Sequence, residues 1–206
     1  MKISLLIMSF WIAGCYAKPS TNPPKSFVSS ADNVADTVPV DLKNSIIKWK
    51  GTKMRGLGKH EGTINLASGF LLFSKETLTG GSFTFDMRTI NVTDIPEHEP
   101  VPRRNLINHL KSEEFFEVET FPKARLIITA CTSINETFNL VGDLTIKGQT
   151  HPISFEANKT KYGYESTLEI DRFTWDVAYT GSWANRTLVD RMVEFNIQIK
   201  IPKSAL

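Results

Sequence analysis

Apolar and polar residues alternate along most of the chain after residue 40. In the last segment Val193, Phe195, Ile197 and Ile199 are separated by charged or amide residues. The same period of two occurs at 60–66, 83–87, 126–130, 138–146, 153–157 and 166–170. A strand that alternates in this way has one apolar face and one wet face. The pattern therefore predicts an all-β protein.

Residue pairs that contain glycine lie between several of these segments. Gly80-Gly81, Gly148-Gln149 and Tyr162-Gly163 have the spacing of hairpin turns. About eight antiparallel strands with one buried face each must either stack as a sandwich or close. A closed up-and-down barrel removes exposed edges and leaves room for one small apolar ligand. We therefore predict an eight-stranded antiparallel β-barrel.

One segment interrupts the alternation. Between Arg103 and Glu117, Leu106, Ile107 and Leu110 recur at helical spacing, shortly after Pro102. This predicts a short helix inserted between two barrel strands. The proline-containing residues 91–102 are predicted to be a loop.

The N-terminus is typical of an exported protein. Lys2 precedes an apolar run, residues 3–13, that is too short to span a bilayer and ends in Ala-Gly-Cys15. Because this end resembles a bacterial lipobox, we predict a lipoprotein signal peptide at 1–14 and lipidation of Cys15. A plain signal peptide cut near Ala17 is the alternative. Residues 15–40 are predicted to be a flexible tether and 41–206 the barrel domain.

Composition and motifs exclude several functions. Lys and Arg number 24 against 22 Asp and Glu, and a net charge of +2 argues against a nucleic-acid binder. Two cysteines are too few for a disulfide scaffold or a structural zinc site, and the four histidines lack paired metal-ligand spacing. Neither a metal nor a cofactor is predicted. No GxSxG, CxxC or HExxH motif supports an enzyme.

The chain is rich in aromatic residues, with thirteen Phe and four Trp. Several, including Trp49, Phe83, Phe85 and Phe155, lie on the apolar positions of the alternating segments. Taken alone, these residues either fill a packed core or line a tunnel.

Two stretches resemble the YceI-like family. Asn105–Phe116 followed by Phe121–Ala124 resembles its HL-x-S-x-(D/E)-FF…FP-x-A signature, and Val141–Pro152 resembles its G-x-L-T strand-turn. Residues 171–175 and 188–190 also fit, so that the resemblance runs from about residue 41 to 202. Many members have Arg-Asp near the helix where this chain has Arg104-Asn105.

The resemblance implies an extended lipocalin-like (calycin-type) barrel, usually periplasmic, around a long apolar tunnel for polyisoprenoids, isoprenoid quinones or similar long-chain amphiphiles. The tunnel is expected to be lined by Trp49, Phe83, Phe85, Met87, Leu140, Leu144 and Phe155. The mouth is expected to be formed by Leu106, His109, Leu110, Phe115 and Phe116, with His109 and Arg104 as polar contacts.

The expected protein is thus a binding protein or carrier, not an enzyme, in the periplasm or on the outer membrane. Its ligand would be a polyisoprenoid, an isoprenoid quinone or a fatty-acid-like molecule. It would contact a membrane through its anchor alone, as a monomer or homodimer. Two alternatives are a structural, stress-protective barrel with a filled core and an enzyme acting on lipids at the barrel mouth.

Overall fold

The computed structural model describes residues 35–178 and 189–203, most of which lie in antiparallel strands. The strands are β1 (Asp36–Pro39), β2 (Ile46–Lys53), β3 (Gly58–Ser74), β4 (Thr77–Val92), β5 (Lys123–Ile134), β6 (Thr137–Ile146), β7 (Gln149–Thr160), β8 (Gly163–Asp171) and β9 (Val189–Lys200). Helix α1 (Pro100–Lys111) lies between β4 and β5, and a 3₁₀ turn (Arg172–Trp175) follows β8.

Eight of the strands close into a barrel. Their hydrogen-bonded order is β3-β2-β9-β8-β7-β6-β5-β4, and β4 pairs back with β3, so the barrel has no open edge. Every pairing is antiparallel. The predicted eight-stranded antiparallel barrel with an inserted helix is confirmed.

Strand β1 is an addition to the predicted barrel. It pairs with residues 70–73 of the long strand β3, beyond residues 58–64 that pair with β2. Residues 36–39 were assigned to the predicted tether, and this part of the assignment is wrong. The reason is that β3, at seventeen residues, is longer than β2 and leaves backbone groups that β1 can pair. The predicted signal peptide, Cys15 and the rest of the tether lie outside the described residues.

The alternation in sequence becomes the inner and outer faces of the barrel. In β6, Phe138, Leu140 and Leu144 are buried, whereas Val141 is exposed. Leu140 lies opposite Phe155 of β7, so the inner face continues from strand to strand. The buried apolar side chains form one core cluster inside the barrel.

A register shift in β5 changes which residues face inward. The alternation predicts Leu126, Ile128 and Ala130 on the apolar face, but the pairing of β5 with β6 shifts between Ile128 and Ala130. Ala130 is therefore exposed, and Cys131 packs against the core instead. A bulge of this kind inserts one residue and reverses the faces beyond it. Cys131 is therefore a partly buried residue of the barrel wall.

The predicted hairpin turn at Gly80-Gly81 is wrong. These glycines lie inside β4, and the β3–β4 turn is formed by Lys75 and Glu76, with φ of 48° and 65°. A Cβ on Gly81 would lie 2.8 Å from the carbonyl oxygen of Phe70, so the glycine permits close approach of two strands. By contrast, Gly148 (φ 72°) lies in the β6–β7 turn as expected.

Helix α1 begins earlier than expected, at Pro100 within the predicted loop. Pro100 and Pro102 are tolerated there because the first turn of a helix lacks acceptors for its backbone N–H groups. The helix ends before Ser112, whose backbone N–H and hydroxyl donate to the carbonyl oxygen of His109. Leu106 and Ile107 pack against the core, and Leu110 is buried.

Candidate ligand-binding site

Three mainly apolar cavities that share wall residues follow one another within the described part of the barrel. The upper cavity, next to α1, is lined by Trp49, His60, Leu106, His109, Leu110 and neighbouring side chains, and measures about 100 Å³. The middle cavity is lined by Met87, Leu144, Ile170, Trp175 and others, and measures about 70 Å³. The lower cavity is lined by Leu71, Phe83, Leu140, Phe155 and Tyr164 among others, and measures about 50 Å³.

Neighbouring cavities share their walls. The upper and middle cavities share Ile64, Phe115, Phe116, Val193 and Phe195. The middle and lower cavities share Phe85, Leu126 and Ile197. These side chains are therefore partitions, and their displacement would join the three cavities into one channel.

The predicted binding residues fall into this row. The upper cavity is lined by Trp49, Leu106, His109 and Leu110, and it shares Phe115 and Phe116 with the middle cavity. The middle cavity is lined by Met87 and Leu144, and it shares Phe85 with the lower cavity. The lower cavity is lined by Phe83, Leu140 and Phe155. The structure thus brings these residues together, and their binding of a ligand stays a prediction.

Arg104 differs from this set. It is exposed, and it is not among the described residues that line the three cavities. Its neighbour Arg103 turns toward the barrel instead and donates hydrogen bonds to the carbonyl oxygen of Val92 (2.9 Å) and to Oδ1 of Asn91 (3.2 Å). The 100° step between successive helical residues separates the two guanidinium groups, so Arg103 fastens α1 to β4.

The partitions limit what the cavities hold in this conformation. Each is smaller than the cavity of roughly 150 Å³ that holds one benzene ring in a protein core. Phe115 and Phe116 make an edge-to-face contact with ring centroids 5.0 Å apart. A long-chain ligand therefore requires these aromatic side chains to change rotamer.

Polar groups are concentrated at the upper cavity. Nδ1 of His60 lies 2.9 Å from Oδ2 of Asp94, and Nδ1 of His109 lies 3.8 Å from Oε2 of Glu114. Burial lowers the pKa of His109, and the negative charge of Glu114 only partly opposes this. At neutral pH the imidazole of His109 is therefore uncharged.

Arg172 is a wall residue that the alternation pattern does not reveal. It is 2% exposed and lines the middle cavity. Its guanidinium donates to the carbonyl oxygens of Val177 (2.6 Å), Val189 (2.9 Å) and Asp190 (3.0 Å). The only signal in the sequence was its place in Asp171–Trp175, one of the stretches that carry the family resemblance.

The described residues show little that resembles a catalytic centre. Within residues 35–178 and 189–203, no group of three or more His, Cys, Asp and Glu side chains could hold a metal ion. Burial raises the pKa of the Cys131 thiol, which makes it a poor nucleophile. No helix in this part of the chain is both long and apolar enough to cross a membrane.

The fold is similar to two solved structures. Burkholderia cenocepacia BcnA superposes with a TM-score of 0.65 at 20% identity, covering 78% of this chain and 98% of that protein. A mutant CJ YCEI protein superposes with a TM-score of 0.50 at 18% identity, covering 62% of this chain and 74% of the other. At these identities the likeness concerns the fold alone.

Sequence comparison supplies relatives and a family. The UPF0312 protein YE1254 of Yersinia enterocolitica is 30% identical over 122 residues, which are 57% of this chain and 58% of that protein. Protein YceI of Salmonella arizonae is 32% identical over 82 residues, 37% of this chain and 43% of the relative. The alignments thus span about half of these relatives. The YceI-like domain matches residues 39–201, and the chain therefore belongs to the YceI-like family.

Proposed function

We propose that this protein binds a long-chain isoprenoid, such as a polyprenyl chain or an isoprenoid quinone, or a similar amphiphile inside its barrel. The observation that carries the proposal is the row of three mainly apolar cavities whose shared walls are side chains. The middle and lower cavities are lined mainly by apolar side chains, apart from Arg172 in the middle cavity and Tyr164, Glu165 and Ser166 in the lower one. Such a mainly apolar lining favours an apolar chain over a polar one.

Burial of apolar surface would drive the binding. Each Å² removed from water contributes about 25 cal/mol, from which the ordering of ligand and side chains must be subtracted. A chain that runs through all three cavities would bury nearly its whole surface. Rotation of the aromatic side chains that the cavities share, Phe85, Phe115, Phe116 and Phe195, is the structural change that this requires.

The proposal includes the protein's place in the cell. Lipidation of Cys15, after removal of residues 1–14, would anchor the barrel to a membrane of the bacterial envelope, with the tether as a spacer. Mass spectrometry of the mature N-terminus tests this, with Cys15→Ser as the control. A diacylated or triacylated cysteine supports the anchor, and a free N-terminus after Ala17 contradicts it.

The small size of the cavities favours a second candidate, a structural barrel whose core is filled. Three voids, each smaller than one that holds benzene, are compatible with a core that never opens. The two candidates predict different contents for the purified protein.

The test is organic extraction and mass spectrometry of the full chain purified from a bacterial periplasm without detergent. A stoichiometric isoprenoid supports the binding function and identifies the ligand class. An empty extract, together with an unchanged melting temperature on addition of an isoprenoid quinone, supports the filled core and contradicts binding.

A pair of variants locates the ligand. Phe85→Asp places a charge at the partition between the middle and lower cavities, and we expect it to abolish ligand retention. Thr84→Asp adds the same charge to the opposite face of β4 and should retain the ligand. Equal retention by both variants, each folded by circular dichroism, would contradict an interior site.

A further inference from the structure

The indole N–H of Trp49 is a buried hydrogen-bond donor without a partner among the described residues. Trp49 is 9% exposed, and Nε1 itself is inaccessible to solvent. Trp175, the other tryptophan among the described residues, is also buried and donates its Nε1 to the carbonyl oxygen of Leu144 at 2.9 Å. Because an unpaired buried donor is costly, a native protein that keeps one usually has a use for it.

The packing around Trp49 holds the indole in place. Trp49 lies opposite Gly62 of β3 and Phe195 of β9. A Cβ on Gly62 would lie 2.5 Å from Cζ2 of the indole, so the ring occupies the space that any larger residue would need. The indole is thus wedged against β3 while it lines the upper cavity.

Other polar groups of the upper cavity already have partners. The Thr52 hydroxyl donates to Oδ2 of Asp190 at 2.6 Å, and His60 is paired with Asp94. Neither group bonds to the indole in this structure. The indole N–H of Trp49 is therefore left as a hydrogen-bond donor for a bound molecule.

We infer that the Trp49 indole N–H donates a hydrogen bond to an uncharged acceptor oxygen, a carbonyl or ether, at the polar end of a ligand whose chain extends toward the middle cavity. The inference rests on the proposed function and adds the orientation and head-group chemistry of the ligand. It makes Trp49 the residue that distinguishes a ligand with an oxygenated head from a bare hydrocarbon.

The charges around the cavity favour an uncharged head over a phosphate. The indole is neutral, and burial keeps His109 uncharged at neutral pH. Lys53, which also lines the upper cavity, is exposed, with its side chain lying over Gly58. The guanidinium of Arg172 is engaged by backbone carbonyls. A phosphate buried in the upper cavity would therefore lose its hydration without gaining a buried cation there.

The experiment compares three probes on the full chain: a prenylated benzoquinone, a hydrocarbon with the same chain and a prenyl phosphate. Trp49→Phe removes the N–H but keeps an aromatic ring. We expect it to weaken quinone binding about tenfold, the loss of one buried hydrogen bond, and to leave hydrocarbon binding unchanged. Trp175→Phe is the matched control, which should affect both probes alike.

A spectroscopic measurement keeps the inference testable if Trp49→Phe folds poorly. In the ¹⁵N-labelled wild type, the indole N–H resonance of Trp49 should move downfield on addition of the quinone and stay in place with the hydrocarbon. A resonance that is already in a hydrogen-bonded position and does not move would overturn the inference. Preferential binding of the phosphate would overturn it as well.

The failure of the inference is distinguishable from that of the proposed function. If the wild type binds quinone and hydrocarbon equally, and Trp49→Phe does the same, only the role of Trp49 is wrong. If the wild type binds none of the three probes, the proposed function is wrong and the inference falls with it.

Discussion

At the scale of single residues, the buried side chain of Arg172 connects several segments of the barrel wall by hydrogen bonds. Its buried guanidinium is paired with backbone carbonyls on both sides of residues 179–188, at Val177 before them and at Val189 and Asp190 after them. It also lies over the ring of Phe173, with Cζ 4.4 Å from the centroid. A charge is stable in this apolar wall only because several acceptors surround it.

Replacing Arg172 should therefore be costly. We expect Arg172→Met to lower the free energy of unfolding by about 3 kcal/mol or more, because one buried and two partly buried carbonyls lose their donor. Urea denaturation measures this. Arg191→Met is the matched control, since Arg191 is exposed, contacts the same Phe173 ring and pairs with Asp171. A surface ion pair of this kind contributes about 1 kcal/mol or less to the free energy of unfolding. Equal losses for Arg172→Met and Arg191→Met would contradict the role assigned to Arg172.

His109 makes stability depend on pH. Burial lowers the pKa of His109 in the folded state below its ordinary value of 6.5. As the pH falls, His109 is therefore protonated in the unfolded chain before it is protonated in the folded protein. The free energy of unfolding decreases over this range, until the pH is below the folded-state pKa. The contribution of the uncharged His109 to the free energy of unfolding is fully present above pH 6.5 and is lost as the pH falls through the folded-state pKa.

We expect His109→Gln to flatten the fall in melting temperature between about pH 7.5 and pH 5, relative to the wild type. Glu114→Gln should steepen this fall, because the nearby carboxylate raises the pKa of His109 and partly offsets burial. Parallel melting curves for all three proteins over this range would show that His109 does not titrate as described.

At the scale of elements, the turns differ in how well their residues suit the backbone. The β3–β4 turn places Lys75 and Glu76 at positive φ, whereas the β6–β7 turn uses Lys147 and Gly148. Two-residue hairpin turns of this geometry favour Asn-Gly, because other side chains strain the left-handed conformation.

Lys75→Asn combined with Glu76→Gly should therefore stabilise the protein by about 1 kcal/mol. The urea midpoint should rise with the slope of the transition unchanged. Lys161→Asn in the β7–β8 turn is the control, because Lys161 is not among the residues of positive φ, and it should give no gain. A decrease in the midpoint of the double variant would contradict the strain at this turn.

At the scale of the whole molecule, β1 pairs with the end of β3 that β2 does not reach. β1 pairs with residues 70–73, and the buried Val40 that follows it donates its backbone N–H to the carbonyl oxygen of Gly69. Residues 36–40 therefore belong to the folded body.

A chain that starts at residue 41 should be less stable than one that starts at residue 35, by about 2–3 kcal/mol. The loss reflects the missing apolar contacts of Val38 and Val40 with the core and the unpaired edge of β3. Thermal and urea denaturation of the two shortened proteins measure the difference. Identical stabilities would mean that β1 contributes nothing and that the barrel begins at residue 41, as the sequence suggested.

The alternating pattern by itself determined the all-β class and most of the inner face. It placed Leu140, Leu144 and Phe155 correctly because the two faces of a strand depend only on the period of two, whatever the strand pairs with. The helix was also readable, since the spacing of Leu106, Ile107 and Leu110 is a local property.

Only the tertiary structure decided features that depend on how strands meet. The β5 bulge arises from pairing with β6, and because of it Cys131, not Ala130, faces the core. The place of Gly81 inside β4 arises from the approach of Phe70. The unpartnered donor of Trp49 and the sizes of the cavities likewise result from contacts between residues far apart in sequence. A periodic pattern assigns a face to each residue, but register and packing are collective properties of the closed barrel.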